Sequence, residues 1–181
     1  MRAYAEFNAD GVHIGGSDRE SNHSYGDAYE SLFPDRASIE LMMEIGVADG
    51  SSLLAWREIF PNALCVGLDI HPAQRLLNRA LDRVEFHLGD MGSLRSCEAA
   101  ASGRQFDLIV EDATHQLVDT LRTLLYMWPF VKPGGLYVIE EFAGVETLRR
   151  NIIDLWKFAG IVHTTSPFGG IEPLVVLRKP L

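Results

Sequence analysis

Seven acidic residues and one histidine are spaced so that chemistry could gather around them: Glu44, Asp69, Asp90, Glu111, Asp112, Glu140, Glu141 and His115. Each acid closes an apolar run of strand length or follows one closely. Carboxylates accept hydrogen bonds from ribose hydroxyls and exocyclic amines, and they are hard oxygen ligands for Mg2+. A neutral imidazole, with an ordinary pKa of about 6.5, can take a proton from a hydroxyl held against it. One acid at a strand end is ordinary. Acids at five successive strand ends are hard to explain by stability, because like charges at one edge repel each other.

The elements that must position these groups alternate from Ile39 onward. Ile39, Leu41, Met42, Met43, Ile45 and Val47 form a nearly unbroken apolar run, suited to a parallel strand covered on both faces. Glu44 interrupts it near the end, where a side chain can leave the core and meet a ligand. Gly46 and Gly50 allow a tight turn and close backbone approach to a bound molecule. Ser51 and Ser52 stand where a helix could be capped, and Leu53, Leu54, Trp56 and Ile59 follow at helical spacing. Only Gly46 and Gly50 of the G-x-G-x-x-G fingerprint are present, so the turn alone reads equally as a ligand loop or a plain connection.

The same reasoning predicts strands over Leu64–Ile70, Val84–Leu88, Phe106–Val110 and Leu136–Ile139, with two more over Ile161–Thr165 and Leu174–Leu177. Helices are predicted over Ser52–Phe60, Ala73–Leu81, Leu94–Ala101, Leu117–Trp128 and Val145–Phe158, with Pro133, Gly134 and Gly135 turning into the fifth strand. The pattern implies an α/β fold: a Rossmann-like, doubly wound, mostly parallel sheet of about seven strands with helices on both faces. Residues 1–181 read as one domain, with 1–36 as a cover and 37–181 as the core. In the cover, Tyr25, Tyr29, Leu32 and Phe33 fall at helical spacing and could lie across the core. His23 and Tyr25 either pack on the surface or close over a ligand.

Ligands of open α/β sheets bind at the carboxyl ends of the strands. Asp69, a little over twenty residues past the glycine turn, stands where an acid meets ribose hydroxyls, although Asp also caps helices well. Asp90 with Met91 could receive an adenine, or Asp90 could serve the turn after Gly89. Asp112, Glu140 and Glu141 could hold Mg2+, or simply cap helices and bind water. His115, beside them, suits a general base. His13, His87 and His163 read as structural, and no zinc spacing, G-x-S-x-G elbow or P-loop is present.

Composition narrows the partners. A net charge of −9 without a long basic run argues against nucleic acid. The apolar runs are of strand length and argue against a membrane span. The N-terminal MRAYAEFNADG carries acids and lacks an apolar h-region, so a cytoplasmic protein is expected. Cys65 and Cys97 read as reduced, buried thiols.

Five segments taken together resemble a known family: MEIGVADGSSLLAW, VGLDIHP, VEFHLGDM, FDLIVEDATHQ and WPFVKPGGLYVIEEF. They resemble class I S-adenosylmethionine-dependent methyltransferases, in the family's order and spacing. GGSDRESNHSY and the Glu44–Trp56 segment are further similar to the macrolide and rhamnosyl O-methyltransferases that act on sugars of natural products. Asp112 and His115 match that subgroup's D-D-G-S-H, whereas Ala113 and Thr114 replace its Gly-Ser pair.

The resemblance implies S-adenosylmethionine as cofactor and a small-molecule acceptor, with a neighbouring subunit of a homo-oligomer as the candidate to help cover a large substrate. It implies a cofactor set of Glu44, Gly46, Gly50, Ser51, Asp69, Asp90, Met91 and Glu111, closed by His23 and Tyr25. Catalysis would rest on His115 and Asp112, and Mg2+ on Asp112, Glu140 and Glu141. The residues also leave open a cofactor-binding module without catalysis, and a nucleotide-dependent oxidoreductase on a similar sheet.

Overall fold

Two hydrophobic layers sandwich a seven-stranded sheet, and the alternation of side chains along each strand decides which layer a residue joins. The computed structural model describes residues 5–7, 13–16, 25–77, 80–141, 150, 159–165 and 171–181. In chain order the strands are β1 (Ala5–Phe7), β2 (His13–Gly16), β3 (Leu41–Ile45), β4 (Leu64–Asp69), β5 (Val84–Leu88), β6 (Phe106–Glu111), β7 (Val131–Ile139), β8 (Ala159–Thr165) and β9 (Ile171–Arg178). The helices are α1 (Gly26–Leu32), α2 (Ser51–Ile59), α3 (Leu94–Ala101) and α4 (Leu117–Met127).

The large sheet runs β5-β4-β3-β6-β7-β9-β8. The five strands β3 to β7 pair in parallel, and β9 pairs antiparallel with both β7 and β8. The chain winds outward from β3 through β4 to β5, then returns to the other side of β3 for β6 and β7. That reversal opens a crevice at the carboxyl ends of β3 and β6, the place where open α/β sheets receive ligands. A separate antiparallel pair, β1 with β2, lies in the segment read as a cover.

Met42, Cys65, Leu108, Val110 and Val138 face α1 and α2, while Met43, Ile45, Val66, Ile109 and Tyr137 face α3 and α4. On the first face Trp56 stacks on Phe60 at 5.5 Å, and Tyr29 and Phe33 meet them edge-on at 4.9 and 5.3 Å. Aromatic pairs of this kind add about 0.5–1.5 kcal/mol each beyond the area they bury. The helical spacing of Tyr25, Tyr29 and Phe33 therefore does lay the segment before β3 across the core. Cys65 and Cys97 are buried on opposite faces as free thiols, and burial pushes them up to about 12 and about 11.

Two local expectations change, and a third lies outside what the structure describes. Residues 74–77, within the expected helix Ala73–Leu81, form turns instead. The Arg75 amide donates to the Asp49 carbonyl at 2.8 Å and its side chain pairs with the Asp49 carboxylate, so contacts to the glycine loop hold this stretch. Pro133-Gly134-Gly135 lies inside β7, not before it, as an irregularity opposite Phe106 and Leu108. A Cβ at Gly135 would meet three carbonyl oxygens at 3.0 Å, so any larger residue would crowd the backbone where the strand continues. The helix expected over Val145–Phe158 falls almost wholly outside the described residues. Among the described residues, no helix is long and apolar enough to cross a membrane.

Candidate active site

The crevice holds a cavity of about 450 Å³, lined by the ends of β3, β4 and β6 and by the turns after β4 and β5. That size is within the range of small-molecule sites. Gly46 lines it with φ +87°, and a Cβ there would fall 2.1 Å from the Asp112 carbonyl. The β3 and β6 ends can approach only because the side chain is missing.

Asp69 organises the near wall. Its Oδ2 accepts the amides of Val47 and Ala48, both at 2.8 Å, and its Oδ1 accepts the His71 amide at 2.7 Å. One carboxylate thus fixes both turns that border the cavity, and Ala48 is held at φ +49°. Asp90 and Met91 line the far end, where Asp90 Oδ1 accepts the Gly92 amide at 2.7 Å. The cavity therefore brings Gly46, Asp69, Asp90, Met91 and Asp112 together as the sequence suggested.

Asp112, His115 and Glu141 form a second cluster at the end of β6, with one ligating atom from each lying within 4.8 Å of the others. His115 Nε2 is 4.0 Å from Asp112 Oδ1 and 3.8 Å from Glu141 Oε2. Its Nδ1 faces the Glu140 carbonyl at 3.4 Å. In the tautomer with its proton on Nδ1, the ring donates to that carbonyl and Nε2 is left to accept a proton beside the two carboxylates. His115 and Glu141 have φ of +56° and +50°. Left-handed backbone at non-glycine residues is strained by about 1–3 kcal/mol and collects at functional sites.

Several expected site residues turn elsewhere. Glu44 does not leave the core: it is fully buried facing α2, where it accepts Ser52 Oγ at 2.7 Å and Trp56 Nε1 at 3.2 Å. Gly50 makes room for Leu76, whose Cγ would lie 2.7 Å from a Cβ, and not for a ligand. Gly50 is itself the N-cap residue of α2, and Asp49 Oδ1 accepts the Ser51 amide at 2.9 Å, so Ser51 neither caps the helix nor lines the cavity.

Glu111 points under α4 beside Thr120, and burial pushes it up to about 7 against the pull of the Thr120 hydroxyl and the Ala113 amide. Glu140 is buried beneath α1 and accepts the Tyr29 hydroxyl, so the carboxylates facing His115 are Asp112 and Glu141 without it. Tyr25 is neither on the surface nor over the cavity; it is fully buried, and its oxygen accepts the Glu141 amide. His23 lies outside the described residues.

The cavity also contains groups the sequence did not bring forward. Thr114, Asp119 and Arg122 line it from the loop before α4 and from that helix. Thr114 Oγ1 donates to Asp119 Oδ2 at 3.2 Å, and Arg122 Nη1 lies 3.6 Å from Asp119 Oδ1. The i, i+3 spacing of Asp119 and Arg122 on a helix opening beside the candidate base was the signal available.

A family model described as a methyltransferase domain matches residues 43–142, more than half of the chain and all of the cavity's lining. The chain belongs to this methyltransferase family. Among curated relatives, this methyltransferase domain is similar to 8-demethyl-8-alpha-L-rhamnosyl tetracenomycin-C 2'-O-methyltransferase of Streptomyces olivaceus, with 32% identity over 70% of this chain and 35% of that protein. It is also similar to demethylmacrocin O-methyltransferase of Streptomyces fradiae, with 32% identity over 67% of this chain and 32% of that protein. The chain thus spans about a third of the length of these relatives. Among solved structures, the MycE methyltransferase from the mycinamycin biosynthetic pathway in complex with Mg and SAH superposes with a TM-score of 0.67 at 21% identity, covering 86% of this chain and 50% of that one. The Rossmann-like methyltransferase fold is therefore shared.

Proposed function

We propose that this methyltransferase domain transfers the methyl group of S-adenosylmethionine to a hydroxyl of a small molecule, a sugar or a glycosylated natural product. The observation that carries this reading is the pairing of one cavity with one reactive cluster. The cavity offers a pinned loop, a carboxylate and an apolar wall, while Asp112, His115 and Glu141 stand at its edge. The sugar O-methyltransferases among the relatives supply the acceptor class.

S-adenosylmethionine, when bound, supplies a methyl group on a sulfonium, which leaves as a thioether once the acceptor oxygen takes the methyl. Asp69 keeps the Gly46 loop in its receiving shape and presents its carboxylate to ribose hydroxyls. Asp90 and Met91 line the far end of the cavity and would hold the adenine, Asp90 as acceptor for its amine and Met91 as apolar wall. His115 Nε2 takes the acceptor's hydroxyl proton as the new carbon–oxygen bond forms. Alignment of the two reactants is the main contribution of the protein.

The donor set also fits a hard cation. Asp112 and Glu141 offer carboxylate oxygens near each other and open enough to leave space for retained waters. Mg2+ held there would stabilise a forming alkoxide. Calorimetric titration of the purified protein with S-adenosylmethionine and with its demethylated product, with and without Mg2+, tests the reading. Binding of both supports it. Binding without methyl transfer to a panel of sugars and glycosides identifies a cofactor-binding module instead, and binding of neither by the folded protein removes the proposal.

A further inference from the structure

We infer that Tyr25 and Tyr29 are positioning residues, which set the direction of His115 by holding the Glu140–Glu141 dipeptide from the core side. The inference rests on the reading of His115 as the base.

Each phenol grips a different part of that dipeptide. The Tyr29 hydroxyl donates to Glu140 Oε1. The Tyr25 oxygen accepts the Glu141 amide at 3.3 Å. The other groups of the dipeptide face His115: the Glu140 carbonyl lies 3.4 Å from Nδ1, and Glu141 Oε2 lies 3.8 Å from Nε2. Both sides of the imidazole ring are thus read by two consecutive residues whose own placement depends on two tyrosines. The left-handed φ of +50° at Glu141 needs such support, because that conformation persists only where its surroundings over-determine it.

The tyrosines suit this role because they do not move easily. Tyr25 is fully buried and Tyr29 nearly so. Tyr29 meets Trp56 edge-on at 4.9 Å and stacks with Phe33 at 6.4 Å. A catalytic group is best held by neighbours that packing already locks in place. Neither tyrosine lines the cavity, so loss of a hydroxyl leaves the walls that would receive S-adenosylmethionine intact. The segment before β3 therefore does more than cover hydrophobic surface: it carries the orientation of the reactive histidine.

The test compares wild type, Y25F and Y29F by long-range 1H–15N spectra of histidine-labelled protein at fixed neutral pH, with the His115 signals assigned from H115A. Wild type is expected to show His115 protonated on Nδ1. Each Phe variant is expected to shift the His115 nitrogens, while affinity for S-adenosylhomocysteine stays within about twofold. His115 signals that superimpose on wild type in both variants would overturn the inference. A second measurement needs no variant: the Glu141 amide should exchange with solvent at least about tenfold more slowly than in an unstructured peptide. Exchange at the free-peptide rate would overturn the Tyr25 contact even if Y25F did not fold. Failure of wild type to bind S-adenosylhomocysteine would instead remove the cofactor reading, leaving the His115 shifts to judge the tyrosines.

Discussion

Acids at the carboxyl edge of this sheet form two rows that behave oppositely. Glu44, Glu111 and Glu140 are buried inside the sandwich, whereas Asp69, Asp90, Asp112 and Glu141 stand at its edge. The inner acids bond to or lie beside groups on packed helices: Ser52 and Trp56 on α2, Thr120 on α4 and Tyr29 on α1. Three of the outer acids line the cavity, and Glu141 joins Asp112 around His115. Desolvation makes the inner row sensitive to the loss of a hydrogen-bond partner, since an unsatisfied buried polar group costs about 1–3 kcal/mol. The outer row stays within reach of solvent and of a ligand. One residue type at one edge thus packs into the core in the inner row and faces the cavity or the His115 cluster in the outer.

The sharpest test of that division lies in the outer row. His115→Ala should lower kcat by roughly 10²- to 10⁴-fold on any acceptor that wild type methylates, with cofactor affinity nearly unchanged. Steady-state kinetics with labelled S-adenosylmethionine would show this, and unchanged turnover would remove His115 from the mechanism.

An inner acid should give the reverse result. Glu44→Ala should destabilise the fold by about 2–4 kcal/mol, because it strands Ser52 Oγ and Trp56 Nε1 inside the core. Chemical denaturation reads that loss. At a temperature where the variant remains folded, affinity for S-adenosylhomocysteine should stay near wild type. A large loss of affinity there would mean that Glu44 belongs to the site and that the two rows are not separate.

Glu111 offers an effect visible in its dependence on pH. Burial raises its carboxyl from the ordinary 4.5 to about 7, so the folded state holds the proton more tightly than the unfolded state. Stability from this group is complete below about pH 4.5 and is lost as pH rises through about 7, a change on the order of 3 kcal/mol. Glu111→Gln fixes the neutral form. Its melting temperature should match wild type near pH 4.5 and exceed it by a growing margin up to pH 7. Parallel melting curves across that range would place the proton elsewhere.

Most of the fold was legible in the sequence because burial writes a period into it. The β5 strand and the α3 helix have the expected bounds, and β4, β6 and α4 differ from theirs by one residue at an end. The helix expected from Ala73 was misread because its stretch docks by side chain and backbone to Asp49, a contact remote in sequence that propensity does not register. Pro133-Gly134-Gly135 has the composition of a turn, yet the pairing of β6 with β7 continues past it.

The site was legible in part for a similar reason. Asp69, Asp90 and Asp112 close their strands or follow them, at the edge where a carboxylate can reach a ligand. Glu44 sits one residue earlier in its strand, and the parity of the pleat sends it to the α2 face. Glu140 follows Ile139 directly, but the tyrosine at the middle of α1 takes its carboxylate inward.

Residue type and spacing by themselves determined the alternating sheet and the edge that carries the chemistry, because hydrophobic period and turn chemistry are local properties of the chain, and the resemblance of five segments to methyltransferases pointed to the family. Tertiary structure alone decided which acids face the ligand and which face the core. That choice depends on the neighbour across the sheet or helix, Trp56 for Glu44 and Tyr29 for Glu140, and such a neighbour can stand over a hundred positions away in sequence.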